Sequence, residues 1–280
     1  MDPIFVEEEK TYNYVTTNAD AAINHLDLEE IIPDKEIKSD LVESPQLHKA
    51  IPAKIDYDQL APYFLFRPKE VIINTIKNTT QMAKPIIHSP LRRRLKSRFL
   101  MLRKKRLNEV VATDTYFSSV RSIEGYWCAQ VFYGCTSRRL KVYGMKRESE
   151  FVDVYQDFMR DCGIPHTLRR DNAKSEGSEK VTKLHRDLIV ADEWTEPYSP
   201  WQNPSENRGV KFIKAQAQVI MNRVNAPANT WFLCQEYVAY VHSICAHPEL
   251  NWKTPVEVAG EDTPDISPIL QFYWFEPVYY

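Results

Sequence analysis

The sequence lacks the features that mark several large protein classes. No apolar run approaches the roughly 18 to 20 residues needed to span a bilayer. The start, Met1-Asp2-Pro3 followed by Glu7-Glu8-Glu9, is not the basic-then-apolar order of a secretory signal, so a soluble, intracellular protein is expected. Cysteine numbers only five (Cys128, Cys135, Cys162, Cys234 and Cys245), with no CxxC and no paired histidines. That spacing argues for reduced structural thiols and against a zinc site. Glycine is scarce, at 7 of 280 residues, and no internal repeat is visible, so the chain is not fibrous.

What remains is a globular composition, 43% hydrophobic, with 18 prolines punctuating long connections. The net charge of -2 conceals a strong segregation. Residues 1–60 carry 14 acidic and 5 basic side chains, residues 61–108 carry 1 and 13, and residues 109–280 carry 23 and 18. The first stretch reads as an acidic, largely flexible arm with one short helix around Asp20 to Ile31. The second reads as a basic linker or small helical segment. It holds Arg92, Arg93, Arg94, Lys96, Arg98, Arg103, Lys104, Lys105 and Arg106 in fifteen positions without an acid.

From residue 109 the pattern changes to alternating strands and helices. Val110 to Phe117, Trp127 to Tyr133 and Leu140 to Met145 read as three successive strands of an antiparallel meander. Glu148 to Cys162 then places Phe151, Tyr155, Phe158 and Cys162 at helical spacing, with Gly163-Ile164-Pro165 as the stop. A strand over His166 to Arg170, a helix over Ser178 to Ile189 and a strand near Trp194 to Tyr198 follow. Helices over Asn203 to Val224 and Thr230 to His247 complete the order, which predicts an α/β mixed sheet with helices on both faces. A core over 109–250 and a C-terminal extension over 251–280 are expected.

Three carboxylates stand out. Asp114 lies inside a run of Val, Ala and Thr, where an unpaired carboxylate is costly to bury, so it needs a cation or solvent. Asp171 ends a strand and opens the polar loop Asn172-Ala173-Lys174-Ser175, a position where open sheets hold ligands, although an ordinary Asp-Asn turn fits it as well. Asn203-Pro204-Ser205-Glu206 has the form of a capping box. Glu206 also continues the stripe of Val210, Ile213, Ala217 and Ile220, which turns it toward the sheet. Three such acids could converge on two hard divalent cations, which suit phosphate chemistry.

These residues, Thr113-Asp114-Thr115, Asp171-Asn172 and Gln202-Asn203-Pro204-Ser205-Glu206, have 56 and 34 residues between the acids. The arrangement resembles the D,D-35-E signature of retroviral and LTR-retrotransposon integrases, and the Gln-Asn-Pro-x-Glu run, Thr254-Pro255-Val256-Glu257 and Thr263-Pro264-Asp265-Ile266-Ser267 are similar to copia-type members. The resemblance covers residues 90 to 280 and implies an RNase H-like core. It implies that Asp114, Asp171 and Glu206 are catalytic and bind two Mg²⁺ or Mn²⁺ ions, first to trim a DNA end and then to join it to target DNA. Double-stranded DNA, both element ends and target, and further copies of the chain would be the partners, in the nucleus. The family's N-terminal His-His-Cys-Cys module has no counterpart, since residues 1–127 lack cysteine. The chain stops at Tyr279-Tyr280, directly after the core-like segment, so a fragment of a polyprotein or a differently processed copy is expected.

Candidate DNA contacts are Arg92, Arg93, Arg94, Lys96, Arg98, Lys104, Lys105 and Arg106, which immediately precede the first strand, although a solvated linker or nuclear-localisation signal fits them too. Lys211 and Lys214, flanking the helix after Glu206 beside Asn207 and Gln218, are further candidates or simply a solvated face. Asn172, Lys174, Gln202 and Asn203 adjoin the carboxylates. Trp201 could stack on an unpaired base or anchor its loop. His166, His185 and His242 are assigned neither metal nor catalysis. A non-catalytic or domesticated DNA-binding protein is the alternative class, and a nuclease of the same fold the third.

Overall fold

The computed structural model describes residues 55–81, 105–171, 178–196, 203–260 and 263–277. The expected arm helix over Asp20 to Ile31 and most of the basic run lie outside the described residues. The chain divides into two compact units, Met1–Tyr57 and Asp58–Tyr280, and the second holds every element named below.

Five strands form one mixed sheet: β1 (Arg106–Phe117), β2 (Cys128–Gly134), β3 (Leu140–Met145), β4 (Ile164–Arg170) and β5 (Ala191–Trp194), in the order β3-β2-β1-β4-β5. β1, β2 and β3 make the expected antiparallel meander, while β4 runs parallel to β1 and β5 parallel to β4. This is the RNase H-like arrangement. All seven residues of β2 are buried, which explains why its run is apolar but for Gln130: a strand covered on both faces has no solvent side to alternate with.

Helices cover each face. On one face α2 (Phe151–Asp161) and α3 (Glu179–Leu188) pack Phe151, Tyr155, Phe158, Val181 and Leu188 onto Val111, Phe132, Ile164 and Leu168. The rings of Phe132 and Phe158 stack with centroids 4.3 Å apart. On the other face α4 (Lys211–Val224) and α5 (Trp231–Ile244) bring Ile213, Trp231, Phe232 and Ala239 against Tyr116, Val131, Tyr133 and Val142. Gly163, with φ +117°, is indispensable between α2 and β4: a Cβ there would lie 2.9 Å from the Lys105 carbonyl, which accepts the first β4 hydrogen bond from Ile164.

Two segments at the margins are fastened to this body. Helix α1 (Lys69–Asn78) docks through Thr75, whose hydroxyl accepts the Ala246 N–H at 2.9 Å, and Gln216 donates to the Leu65 carbonyl at 2.7 Å. Thr80 forms a parallel bridge with Asp265, so the stretch after Thr263 and the stretch before Gln81 hold each other. A capping box forms at Thr254 and Glu257, where the pattern Thr254-Pro255-Val256-Glu257 opens α6 (Pro255–Val258). All five cysteines are free and four are buried.

One expected element is displaced. The strand anticipated near Trp194 to Tyr198 lies at Ala191–Trp194 instead. Ile189 adopts the left-handed conformation (φ 52°) that closes α3, and the chain turns into β5 two residues later. The acids Asp192 and Glu193, which precede the expected strand, are ladder residues whose side chains pair with Arg170 and Arg169 on β4.

Candidate active site

Asp114 faces α4. It pairs across the ladder with Val131, whose Cγ1 would lie 3.1 Å from a Cβ placed on Gly209. Gly209 belongs to a π-helical turn, Ser205–Val210, that precedes α4 and carries Glu206. The absence of a side chain at Gly209 lets this turn lie close on β2, which brings Glu206 toward the Asp114 side of the sheet. π-helical turns are uncommon and concentrate at functional sites. Val210, Ile213, Ala217 and Ile220 are all buried, as the apolar stripe running from Glu206 predicts.

Asp171 follows the last residue of β4. The parallel register pairs Ala112 with Arg169, and continuing it by two residues sets Asp171 beside Asp114 on the same face. Thr195 fixes it from the next strand: its N–H donates to the Arg170 carbonyl at 3.1 Å and its hydroxyl to Asp171 Oδ1 at 3.3 Å. Arg170 itself is 1% exposed, paired with Asp192 at 2.6 Å and lying 4.1 Å over the Trp194 ring, so the strand end beneath Asp171 is locked.

The electrostatics couple the three acids. Burial, then the negative charges of Glu206 and Asp171, push the Asp114 carboxyl up to about 7, against the opposing pull of the Thr115 backbone N–H and the Lys214 ammonium. Lys214 stands over the Tyr116 ring, 4.6 Å from its centroid, and Lys211 donates to Asn207 at 2.7 Å. Carboxylate oxygens are the donor type that hard divalent cations take. Among the described residues, however, no three His, Cys, Asp or Glu side chains are gathered closely enough to hold one ion. The donor set therefore fits in chemistry and in mutual field, without being drawn into a coordination sphere.

Three residues expected at a DNA surface have other places. Arg106 donates to the carbonyls of Leu188 and Ile189 at 2.7 and 2.9 Å, closing the C-terminus of α3. With Lys105 it stands at the start of β1, roughly 26 Å from Asp114 at ~3.3 Å per strand residue. Asn203 is 4% exposed, so its amide is turned inward rather than toward a duplex. Its Nδ2 donates to the Thr113 carbonyl at 3.1 Å and its Oδ1 accepts the Ser205 N–H at 3.0 Å. The capping box anticipated here does not form among the described residues: Asn203 accepts from the Ser205 N–H rather than from that of Glu206, and no bond from Glu206 returns to Asn203. Arg92, Arg93, Arg94, Lys96, Arg98, Lys104, Asn172, Lys174, Trp201 and Gln202 lie outside the described residues.

Sequence reasoning missed Gln130 and Thr195. Gln130 is wholly buried and joins Thr113 and Thr115, the residues on either side of Asp114. A lone amide in the apolar run Cys128-Ala129-Gln130-Val131-Phe132 was the available signal. Thr195 lies inside the expected strand Trp194 to Tyr198 but directly after the observed β5, and nothing local marks it as the partner of Asp171.

No protein-family model matches the chain, and no curated protein does. Solved structures with a similar course of the chain include a simian T-cell lymphotropic virus intasome in complex with PP2A regulatory subunit B56 gamma (TM-score 0.45, 15% identity, covering 56% of this chain and 55% of that one). The chain thus spans about half the length of that relative. The HTLV-2 integrase catalytic core domain in complex with magnesium also matches, in a trimeric form (0.43, 15%, covering 55% and 97%) and a dimeric form (0.42, 13%, covering 55% and 95%).

Proposed function

We propose that the chain is a polynucleotidyl transferase of integrase type, processing and joining DNA ends for a retrotransposon in the nucleus, as a multimer on double-stranded DNA. The observation that carries this reading is the placement of three carboxylates on the face covered by α4: Asp114 in β1, Asp171 beside it by the register of β4, and Glu206 on the turn seated against β2, near enough that the other two raise the Asp114 carboxyl. Such an arrangement leaves negative charge to be balanced by a proton or by a cation.

Asp114, Asp171 and Glu206 would hold two Mg²⁺ or Mn²⁺ ions. When bound, the ions supply activation of an attacking oxygen and stabilisation of a leaving one during in-line displacement at phosphorus. The chain's own part is to hold and orient. Asp114 must give up its proton to become a ligand, which Lys214 assists by its charge. Lys211 and Lys214, both exposed on α4, would meet phosphates and make binding salt-sensitive. Thr195 orients the Asp171 carboxylate, and the locked β4 end keeps it there.

The test is strand cutting and joining on a labelled duplex with Mn²⁺, comparing the full chain with Asp171→Asn. Wild type should cut and join, and the variant should retain duplex binding while losing at least ~1,000-fold in rate, equivalent to about 4 kcal/mol of barrier. Equal duplex binding with neither protein cutting nor joining would sink the enzyme reading in favour of a non-catalytic DNA-binding protein.

A further inference from the structure

Asp114 and Glu206 sit on different elements, so their separation must be set by whatever joins those elements. One buried polar chain does so. It begins at Gln130 on β2, whose amide engages the hydroxyls of Thr113 and Thr115. The Thr113 hydroxyl in turn donates to the Val131 carbonyl at 3.0 Å, so the β1 backbone on either side of Asp114 is fastened to β2. The Thr113 carbonyl, one residue before Asp114, accepts from Asn203 Nδ2. Asn203 Oδ1 then takes the N–H of Ser205, one residue before Glu206. Gln130, Thr113, Asn203 and Ser205 are all buried.

We infer that Asn203 is a positioning residue that sets the spacing of Glu206 from Asp114, and through that spacing the affinity of the pair for divalent cations. The inference rests on the integrase-type reading for its purpose, and on hydrogen bonds alone for its geometry. Asn suits the position because the amide donates on one side and accepts on the other, and this task needs both. An acceptor alone would cap Ser205 and leave the Thr113 carbonyl unsatisfied. A buried polar tie of this kind also resists sliding of the π-helical turn along β2, since any shift would strand a donor or an acceptor without water. Gly209 supplies the close seat, and Asn203 supplies the register on it.

The experiment compares wild type, Asn203→Ala, Asn203→Asp and Gln130→Met. The primary readout needs no catalysis: the Mn²⁺ concentration at which the melting temperature of the DNA-free protein rises half-way, with Asp114→Asn as the control that abolishes the rise. Loss of an outer partner of a metal ligand costs typically ~10- to 100-fold in metal affinity. Asn203→Ala and Asn203→Asp should both raise the midpoint by at least ~10-fold, and Gln130→Met by a smaller factor, with duplex binding at low Mn²⁺ unchanged. Asn203→Asp is the decisive variant, because it keeps the acceptor for Ser205 and places an oxygen against the Thr113 carbonyl. A wild-type midpoint in Asn203→Asp would show a simple helix cap and overturn the inference. So would variants that melt earlier without Mn²⁺ yet keep the wild-type midpoint, or a wild-type protein with no Mn²⁺-dependent rise. Should Asn203→Asp not fold, Asn203→Ala and Gln130→Met carry the same comparison. A wild-type protein that shows the Mn²⁺ response but neither cuts nor joins DNA would end the proposed function and leave the positioning role standing.

Discussion

Around Arg67 and around Asp114 the same unit buries charge in opposite ways. The Arg67 guanidinium lies 2.9 Å from His242 Nδ1, 3.5 Å from His247 Nε2 and 5.6 Å over the Phe212 ring. His242 Nε2 is 3.1 Å from the Arg138 carbonyl, which can only accept, so that nitrogen carries the proton and Nδ1 offers its lone pair to Arg67. Burial and the neighbouring cations hold both imidazoles neutral, His242 well below its usual range and His247 at about 4. His247 Nε2 is 3.0 Å from the His242 carbonyl and so donates to it, which leaves His242 Nδ1 as the acceptor that takes the Arg67 cation between two neutral rings. At Asp114 two further carboxylates bear on a half-buried one, opposed by Lys214, and the balance is left to a proton. The first region fastens the segment before α1 to the body, and the second holds a charge that its own surroundings do not neutralise.

The comparison can be broken most strongly at Asp114 itself. Its folded carboxyl binds a proton up to about 7, whereas an unfolded aspartate releases it near 3.8. Folding therefore takes up a proton between those values, and stability contributed by the protonated form is lost as pH rises through that window. In chelator at pH 8, Asp114→Asn should be more stable than wild type by up to about 4 kcal/mol, and near pH 4 the two should melt alike. Equal melting at both pH values would show that Asp114 is not strained by its neighbours.

Removing the matched cation should have the opposite sign. Arg67→Ala leaves His242 Nδ1 without its donor and strips contact from Phe212, for a loss of about 3 kcal/mol. That corresponds to a fall in melting temperature of roughly 6 to 12 °C, read by circular dichroism, with the Mn²⁺ midpoint unchanged. A shift in that midpoint would mean that the two regions are coupled.

The third expected effect sharpens the contrast through pH. The folded pKa of His247 is depressed, so its contribution is present above the unfolded value of 6.5 and lost as pH falls toward about 4. Wild type should lose up to about 3 kcal/mol over that range relative to His247→Gln. Acid thus weakens the Arg67 region over the interval in which it relaxes the Asp114 region: on acidification the melting temperature of Asp114→Asn should fall toward wild type, while that of His247→Gln should rise relative to it.

The sheet was legible because its signals are local. The Val, Ala and Thr run from Val110 to Phe117, the largely apolar run of β2 and the spacing of Phe151, Tyr155 and Phe158 each declare their element. The stripe from Val210 to Ile220 located the face of α4. Failures came where a residue's meaning depends on a distant partner. Asp192 and Glu193 lie before the expected strand, and nothing local shows that Arg170 and Arg169 pair with them. Arg106 looks like a member of a basic run until the end of α3 arrives beneath it. Asn203 has the local form of a helix cap, and only the fold supplies the Thr113 carbonyl that gives it a second task. The π-helical character of Ser205–Val210 has no distinct periodic signature, because a single wide turn is shorter than the window over which a helical period can be counted.

Strand β1 is also a ruler. Arg106 marks one end, seated on the end of α3, and Asp114 marks the carboxylates. The intervening length is about 26 Å at ~3.3 Å per strand residue. The strand is paired first to β4 and then to β2 and is covered by helices on both faces, so the closure of α3 and the carboxylate keep a fixed separation. A disturbance at Arg106 therefore has a stiff path to Asp114, with no loop between them to absorb it.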